Sequence, residues 1–203
     1  MNSLTALALT CSLKPSPARS SSELIAEQLL SEFREEGVSC SSIRLVDHDI
    51  RPGVEIDMGG GDQWPRIRAQ IHNADILLVS TPTWLGQMSS VAKRALERLD
   101  AELSETDDRG RPGMFDKVAV AAVVGNEDGA HAIVASLFQA LNDCGFSIPA
   151  QGCTYWNGEA MTPGDYNDLE SVPPAVASAN STLVRNAVHL AKVLRQQPYP
   201  VED

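Results

Sequence analysis

Short apolar runs alternate along this chain with segments in which apolar residues recur every three or four positions. Five runs have the character of strands: Leu4–Thr10, Val38–Val46, Ala74–Thr81, Lys117–Val124 and Ile148–Trp156. Several of them are apolar on both faces, which is typical of parallel strands covered by helices on each side. The alternation therefore predicts an α/β fold with a parallel sheet between two layers of helices.

The first helix has clear boundary signals. Residues Ser21–Glu36 carry apolar side chains on one face, Ser20 and Glu23 have the spacing of a capping box, and Gly37 supplies a stop. Asp62 is predicted to open the next helix, and amphipathic helices follow the third, fourth and fifth strands. The 203 residues suit one α/β domain spanning 1–203.

Charge and cysteine content limit the partners and the compartment. The chain has 16 Lys and Arg against 27 Asp and Glu, a formal net charge of -11. This argues against nucleic acid or an anionic membrane as the main partner, because both are captured by clustered positive charge. An anionic cofactor stays possible, since backbone N–H groups at a helix start can hold a phosphate. The four cysteines are Cys11, Cys40, Cys144 and Cys153. Their spacing matches neither a metal site nor a CxxC motif, which predicts reduced thiols and a cytoplasmic protein.

Ligands of such sheets bind beyond the carboxyl ends of the strands, so three loops are candidates. The first loop follows Thr10, is rich in hydroxyls and leads directly into a helix N-terminus. Free N–H groups and the helix dipole meet there, the environment that a phosphate monoester needs. An ordinary serine-rich turn with an N-cap is the alternative. Walker A and GxGxxG patterns are absent from the sequence.

The second loop, Pro82-Thr83-Trp84-Leu85-Gly86-Gln87, places an aromatic ring and a glycine after the clearest buried strand. A planar ring and a close backbone approach suit a flat heteroaromatic ligand, although Trp84 could equally pack down onto a helix. The third loop, Gly125-Asn126-Glu127-Asp128-Gly129, could give N–H groups to the edge of such a ligand. It could also be a plain turn in which Asp128 caps the next helix.

Taken together, the three loops resemble those of the NADPH-dependent FMN reductase family of flavodoxin-like proteins. The resemblance implies a three-layer sandwich around a five-stranded parallel sheet of order 2-1-3-4-5. It also implies one FMN, reduction by NAD(P)H, and a homodimer or homotetramer. The phosphate would lie on Ser12, Ser20, Ser21 and Ser22 of the first loop. The isoalloxazine would lie between the second and third loops, at Pro82, Thr83, Trp84, Leu85, Gly86, Gly125, Asn126, Glu127, Asp128 and Gly129.

The resulting hypothesis is an oxidoreductase that passes electrons from a reduced nicotinamide through FMN to a flavin, quinone or similar small-molecule acceptor. The flavin carries this chemistry, so no catalytic side chain and no metal are expected. One alternative is a flavodoxin-type FMN carrier that does not oxidise NAD(P)H. Another is a relative of the same fold that has lost the flavin. The segment from Tyr155 to Pro173 has no assigned role.

Overall fold

The computed structural model describes residues 3–200, and its centre is a sheet of six strands. The strands are β1 (Thr5–Thr10), β2 (Ser39–Arg44), β3 (Ile76–Trp84), β4 (Gln87–Met88), β5 (Val118–Gly125) and β6 (Cys153–Asn157). Five of them are parallel in the order β2-β1-β3-β5-β6. This is the predicted flavodoxin-like order 2-1-3-4-5, which is thereby confirmed. The short β4, which the sequence did not predict, pairs antiparallel with the end of β3.

Within residues 3–200, five α-helices cover the two faces of the sheet: α1 (Ser21–Glu35), α2 (Trp64–Asn73), α3 (Ser90–Leu99), α4 (Ala130–Asp143) and α5 (Pro174–Gln196). Alternate residues of β1 point to opposite faces, as the two-residue period of a strand requires. Leu7 and Leu9 join the core under α2, α3 and α4, whereas Ala6 and Ala8 join the core under α1 and α5. Both faces of the sheet are therefore buried, as the apolar strands predicted.

The start and end of α1 follow from its local sequence. The Ser20 hydroxyl accepts a hydrogen bond from the backbone N–H of Glu23 and caps the helix. At the other end Gly37 has a φ of 78°, and its N–H donates to the Arg34 carbonyl. The N–H of Val38 donates to the Phe33 carbonyl, which completes a Schellman motif. These caps fix where the helix leaves the first loop, and hence where its free N–H groups lie.

Two predicted helix starts differ from the structure. Helix α2 begins at Trp64 rather than Asp62, because the Asp62 carboxylate accepts the Trp64 N–H from outside the helix and pairs with the buried Arg98. Asp128 does not cap α4, since Gly129 occupies the N-cap without a side-chain bond. Gly129 has a φ of 129°, a conformation that L side chains rarely adopt, so the backbone turns into the helix at the glycine.

Candidate functional site

A cavity of about 360 Å³ lies at the carboxyl edge of the sheet, where the order of the strands reverses on either side of β1 and β3. Its volume falls within the range of small-molecule sites. Four segments line it: the first loop with the start of α1, the end of β3, the end of β5 with the third loop, and the end of β6 with the segment after it. The lining residues from the first three of these segments are Ser12, Leu13, Lys14, Arg19, Ser20, Ser21, Ser22, Pro82, Thr83, Trp84, Val124, Gly125, Asn126 and Glu127.

The structure brings most of the predicted site residues together around this one cavity. The four serines predicted to hold the phosphate all line it, as do Pro82, Thr83, Trp84, Gly125, Asn126 and Glu127. The other four predicted residues do not line it: Leu85, Gly86, Asp128 and Gly129. Leu85 and Gly86 instead form the tip of the β3–β4 hairpin, and the Cα of Gly86 lies 2.7 Å from where a Cβ on Gly129 would stand.

The first loop presents backbone donors to the cavity. Within residues 3–200, the N–H groups of Ser21 and Ser22 at the start of α1 have no hydrogen-bond acceptor. The Ser20 and Ser22 hydroxyls lie 3.2 Å apart, and the Ser80 hydroxyl donates to the Ser22 carbonyl at 2.6 Å, which ties the helix start to β3. Two free N–H groups at the positive end of a helix form a site suited to an anion.

Arg44 holds the first loop in place, a role that the sequence did not predict. Its side chain is 6% exposed, and its guanidinium donates to the carbonyls of Lys14 at 3.3 Å and Ala18 at 2.9 Å. It also pairs with the carboxylate of Glu23. On the outside, Asp47 accepts the Ser16 hydroxyl and N–H, and these two bonds lower the pKa of its carboxyl. The loop is thus braced from both sides.

The second loop is a tight hairpin whose tip is bound to the third loop. Leu85 and Gly86 have φ values of 51° and 71°, the two positive angles of a type I′ turn. A leucine rarely adopts this conformation, and its side chain is 92% exposed. The Leu85 N–H donates to the Glu127 carboxylate at 2.7 Å, and this bond connects the second loop to the third.

Thr83 carries a buried hydroxyl that has no hydrogen-bond partner among the described residues. The residue is 3% exposed and lines the cavity. Gly125 faces it so closely that a Cβ there would stand 2.7 Å from the Thr83 Cβ. A buried polar group without a partner is costly in a native protein, which points to a ligand as the missing acceptor or donor.

The fourth side of the cavity is formed by residues 158–172, here named the wall segment, which contributes Ala160, Met161, Asp165, Tyr166 and Asn167. Tyr166 anchors it, being 2% exposed, with its hydroxyl donating to Gln28 Oε1 at 2.7 Å. Its ring lies 5.5 Å from that of Trp156, which also lines the cavity. The bond to Gln28 joins residues 138 positions apart, and for this segment the sequence indicated only a loop without an assigned role.

Three observations concern the thiol, the imidazole and the metal-ligating side chains near the cavity. Burial raises the pKa of Cys11, at the end of β1, to about 12, so its thiol stays protonated at neutral pH. No cluster of three or more metal-ligating side chains occurs in residues 3–200. His131 bonds the Tyr155 hydroxyl at 3.0 Å, and neither residue lines the cavity.

Comparison with protein families agrees with this geometry. The sequence profile described as NADPH-dependent FMN reductase matches residues 4–160. The 8-demethyl-8-aminoriboflavin-5′-phosphate synthase of Streptomyces davaonensis is 31% identical over 211 residues, covering 98% of this chain and 81% of the relative. The crystal structure of RosB with bound 8-demethyl-8-formylriboflavin-5′-phosphate aligns with a TM-score of 0.88 at 30% identity, covering 97% of this chain and 82% of that one.

A second curated relative is much longer than this chain. The divalent metal cation transporter MntH of Mycobacterium bovis is 35% identical over 199 residues, which cover 95% of this chain. The chain spans only 29% of the length of that transporter. Within residues 3–200, none of the helices is long and apolar enough to cross a membrane.

Proposed function

Since the chain belongs to the NADPH-dependent FMN reductase family, we propose that it binds FMN in this cavity and oxidises NAD(P)H. The electrons would leave for a second small molecule, such as a flavin or a quinone. The observation that carries the proposal is the pairing, in one cavity, of free helix-start N–H groups with a buried, unpartnered hydroxyl at Thr83. The first suits a phosphate, and the second suits the polar edge of a flat ring.

The residues present fit FMN at both ends of the molecule. Ser21 and Ser22 would hold the phosphate through their N–H groups, with the hydroxyls of Ser12 and Ser20 nearby. Short hydroxyl side chains add hydrogen bonds there without filling the space. Because the phosphate would sit on a helix N-terminus, the net charge of -11 does not prevent its binding.

The isoalloxazine would lie beside the second and third loops. Thr83 and Asn126 supply polar atoms, and Gly125 keeps the backbone close because no side chain intervenes. Trp84, which is 54% exposed at the rim, offers a ring face against which a second flat substrate can stack. Glu127 is bound to the Leu85 N–H and acts through the loop backbone rather than through its charge.

A bound flavin supplies hydride and single-electron transfer, and the protein supplies position, exclusion of water and hydrogen bonds. The two loops fixed by the bond from Leu85 to Glu127 give a rigid platform for the ring. The wall segment excludes water from the other side, with Tyr166 anchored on α1. Exposed Trp84 marks the open side, through which nicotinamide and acceptor would enter in turn.

The first test is a visible spectrum of the purified protein, with FMN added if it is colourless, repeated anaerobically with NADPH and with NADH. Bleaching of the flavin bands within seconds supports the proposal. Bands that persist with both nucleotides but bleach with dithionite would instead identify the flavodoxin-type carrier. A protein that neither contains nor takes up FMN would contradict both functions.

A second candidate function is that a flavin phosphate is the substrate itself. The observation that favours it is the full-length likeness to the S. davaonensis synthase and to RosB, together with a wall segment that extends beyond the matched residues 4–160. Mass spectrometry of the flavin recovered after turnover decides between the two. An unchanged FMN mass supports the reductase, whereas a changed mass supports chemistry on the flavin.

We also propose that the chain forms a homodimer or homotetramer and resides in the cytoplasm. Exposed apolar side chains beside the cavity support the assembly, notably Leu85 at 92% and Met161 fully exposed. The four free cysteines support a reducing compartment. Sedimentation velocity tests the assembly, and a monomer at micromolar concentration would contradict it.

A further inference from the structure

Met161 places a thioether in the open at the edge of the cavity. It lines the cavity from the wall segment and is fully exposed. The N–H and the hydroxyl of Thr162 both donate to the Glu159 carbonyl, at 3.2 and 2.5 Å, and close a turn around Met161. Met161 has a φ of 67° in this turn, a conformation that usually requires glycine. All residues from 159 to 165 are exposed, so the turn holds the side chain out in solvent.

The other methionines within residues 3–200 are less accessible. Met58 is 37% exposed and does not line the cavity, and its sulfur lies so close to Gly53 that a Cβ there would stand 2.3 Å away. Met88 is half-buried against the core, and Met114 is fully buried. A small oxidant in the solvent therefore meets the sulfur of Met161 before that of any of these three.

The cysteine thiols do not compete for such an oxidant, because the thiolate is the reactive form of cysteine. Burial raises the pKa of Cys11 to about 12 and that of Cys144 to about 11, and it also raises the pKa values of Cys40 and Cys153. None of these four residues lines the cavity. A thioether needs no deprotonation before it is oxidised, so Met161 is the sulfur that an oxidant attacks at this site.

We propose that hydrogen peroxide oxidises Met161 to methionine sulfoxide and that this modification weakens the binding of flavin in the cavity. The peroxide transfers one oxygen atom to the sulfur, so that an S–O bond forms, the O–O bond breaks and water leaves. A thioether is apolar, whereas a sulfoxide is polar and accepts hydrogen bonds. The modified side chain therefore favours water over contact with a flat ring.

The effect on flavin binding rests on the proposed function, which also supplies the oxidant. When no other acceptor is present, dioxygen takes the two electrons and two protons and becomes hydrogen peroxide. Oxidation of Met161 would then lower the occupancy of the site under the conditions in which its electrons are lost to dioxygen. A second copy of the chain packed on this rim would still leave the cavity side of Met161 open to so small a molecule.

The first experiment treats the purified protein with hydrogen peroxide at neutral pH and follows each methionine-containing peptide by mass spectrometry. We expect Met161 to gain one oxygen atom about three-fold faster than Met58, in proportion to their exposed fractions of 101% and 37%, and Met114 to react slowest. Met58 is the internal control, since it is exposed but lies outside the cavity lining. A rate at Met161 equal to or below that at Met58 would overturn the modification.

The second experiment titrates FMN before and after this treatment, in wild type and in Met161→Leu, by quenching of flavin fluorescence. Oxidation should weaken binding to wild type about 3- to 10-fold, and methionine sulfoxide reductases should restore it. Peroxide should leave the affinity of Met161→Leu at its untreated value. Equal weakening in both proteins, or none in wild type, would overturn the effect on binding. Untreated wild type that takes up no FMN would overturn the proposed function and with it this effect, while the peptide masses decide the modification separately.

Discussion

The buried ion pair of Arg98 and Asp62 provides a sharp test of how the loop before α2 is held. Both side chains are 0% exposed, and Arg98 Nη1 lies 2.7 Å from Asp62 Oδ2. The guanidinium also donates to the carbonyls of Arg51, Glu55 and Ile56 at 2.7 to 3.2 Å. We predict that Arg98→Met lowers the free energy of unfolding by about 3–5 kcal/mol, because it leaves a buried carboxylate without its cation.

For a chain of this length, that loss corresponds to a fall in melting temperature of about 6–20 °C. Urea unfolding followed by tryptophan fluorescence measures it, since the fully buried Trp64 lies 5.6 Å from the Arg98 guanidinium. The control is Arg34→Met, which breaks an exposed pair with Glu27 at 2.6 Å and should cost about 0–1 kcal/mol. Equal costs for the two variants would refute the reasoning.

The pH dependence of the same pair has a defined sign. Burial raises the pKa of Asp62, but hydrogen bonds from the Met58 N–H, the Arg98 guanidinium and the Trp64 N–H outweigh burial and lower the pKa from 3.8 to about 2. Asp62 therefore adds stability above pH 3.8 that is lost as the pH falls towards 2. In Arg98→Met the buried carboxylate has lost its cation and favours its protonated form, so acidification should cost this variant less stability than it costs wild type. For the same reason, adding Asp62→Asn to Arg98→Met should restore part of the stability at pH 7.

Three further predictions concern single residues. Leu85→Gly should stabilise the protein by about 1 kcal/mol in urea unfolding, because glycine relieves the positive φ and the leucine side chain is 92% exposed. Thr83→Val should raise or preserve the stability of the flavin-free protein while weakening FMN binding, since it removes the unpartnered hydroxyl; unchanged affinity would contradict its role. Burial raises the pKa of Glu102, but hydrogen bonds from His72 and Arg68 outweigh burial and keep this pKa below its ordinary value of 4.5. Glu102 therefore adds stability that is lost as the pH falls below 4.5. In melting curves Glu102→Gln should lose less stability on acidification than wild type, and an equal loss would contradict this.

Most of the fold follows from local patterns that the sequence carries. Strands apolar on both faces can only be buried between two layers of helices, which fixed the α/β class and the parallel sheet. The boundaries of α1 also follow from neighbours in sequence, since Ser20 and Gly37 act within a few residues of themselves. The carboxyl edge of a parallel sheet then determines which loops meet, so ten of the fourteen predicted site residues line one cavity.

Only the tertiary structure decided which other residues complete the cavity. Tyr166 meets Gln28, and Arg19 meets Asp168, across separations of 138 and 149 residues, and no local pattern encodes such pairs. The sequence did not predict the hairpin after β3, because Leu85 occupies a position where a glycine or asparagine would have indicated a type I′ turn. The unpartnered Thr83 hydroxyl is likewise visible only in three dimensions, because burial and bonding depend on everything that packs around it.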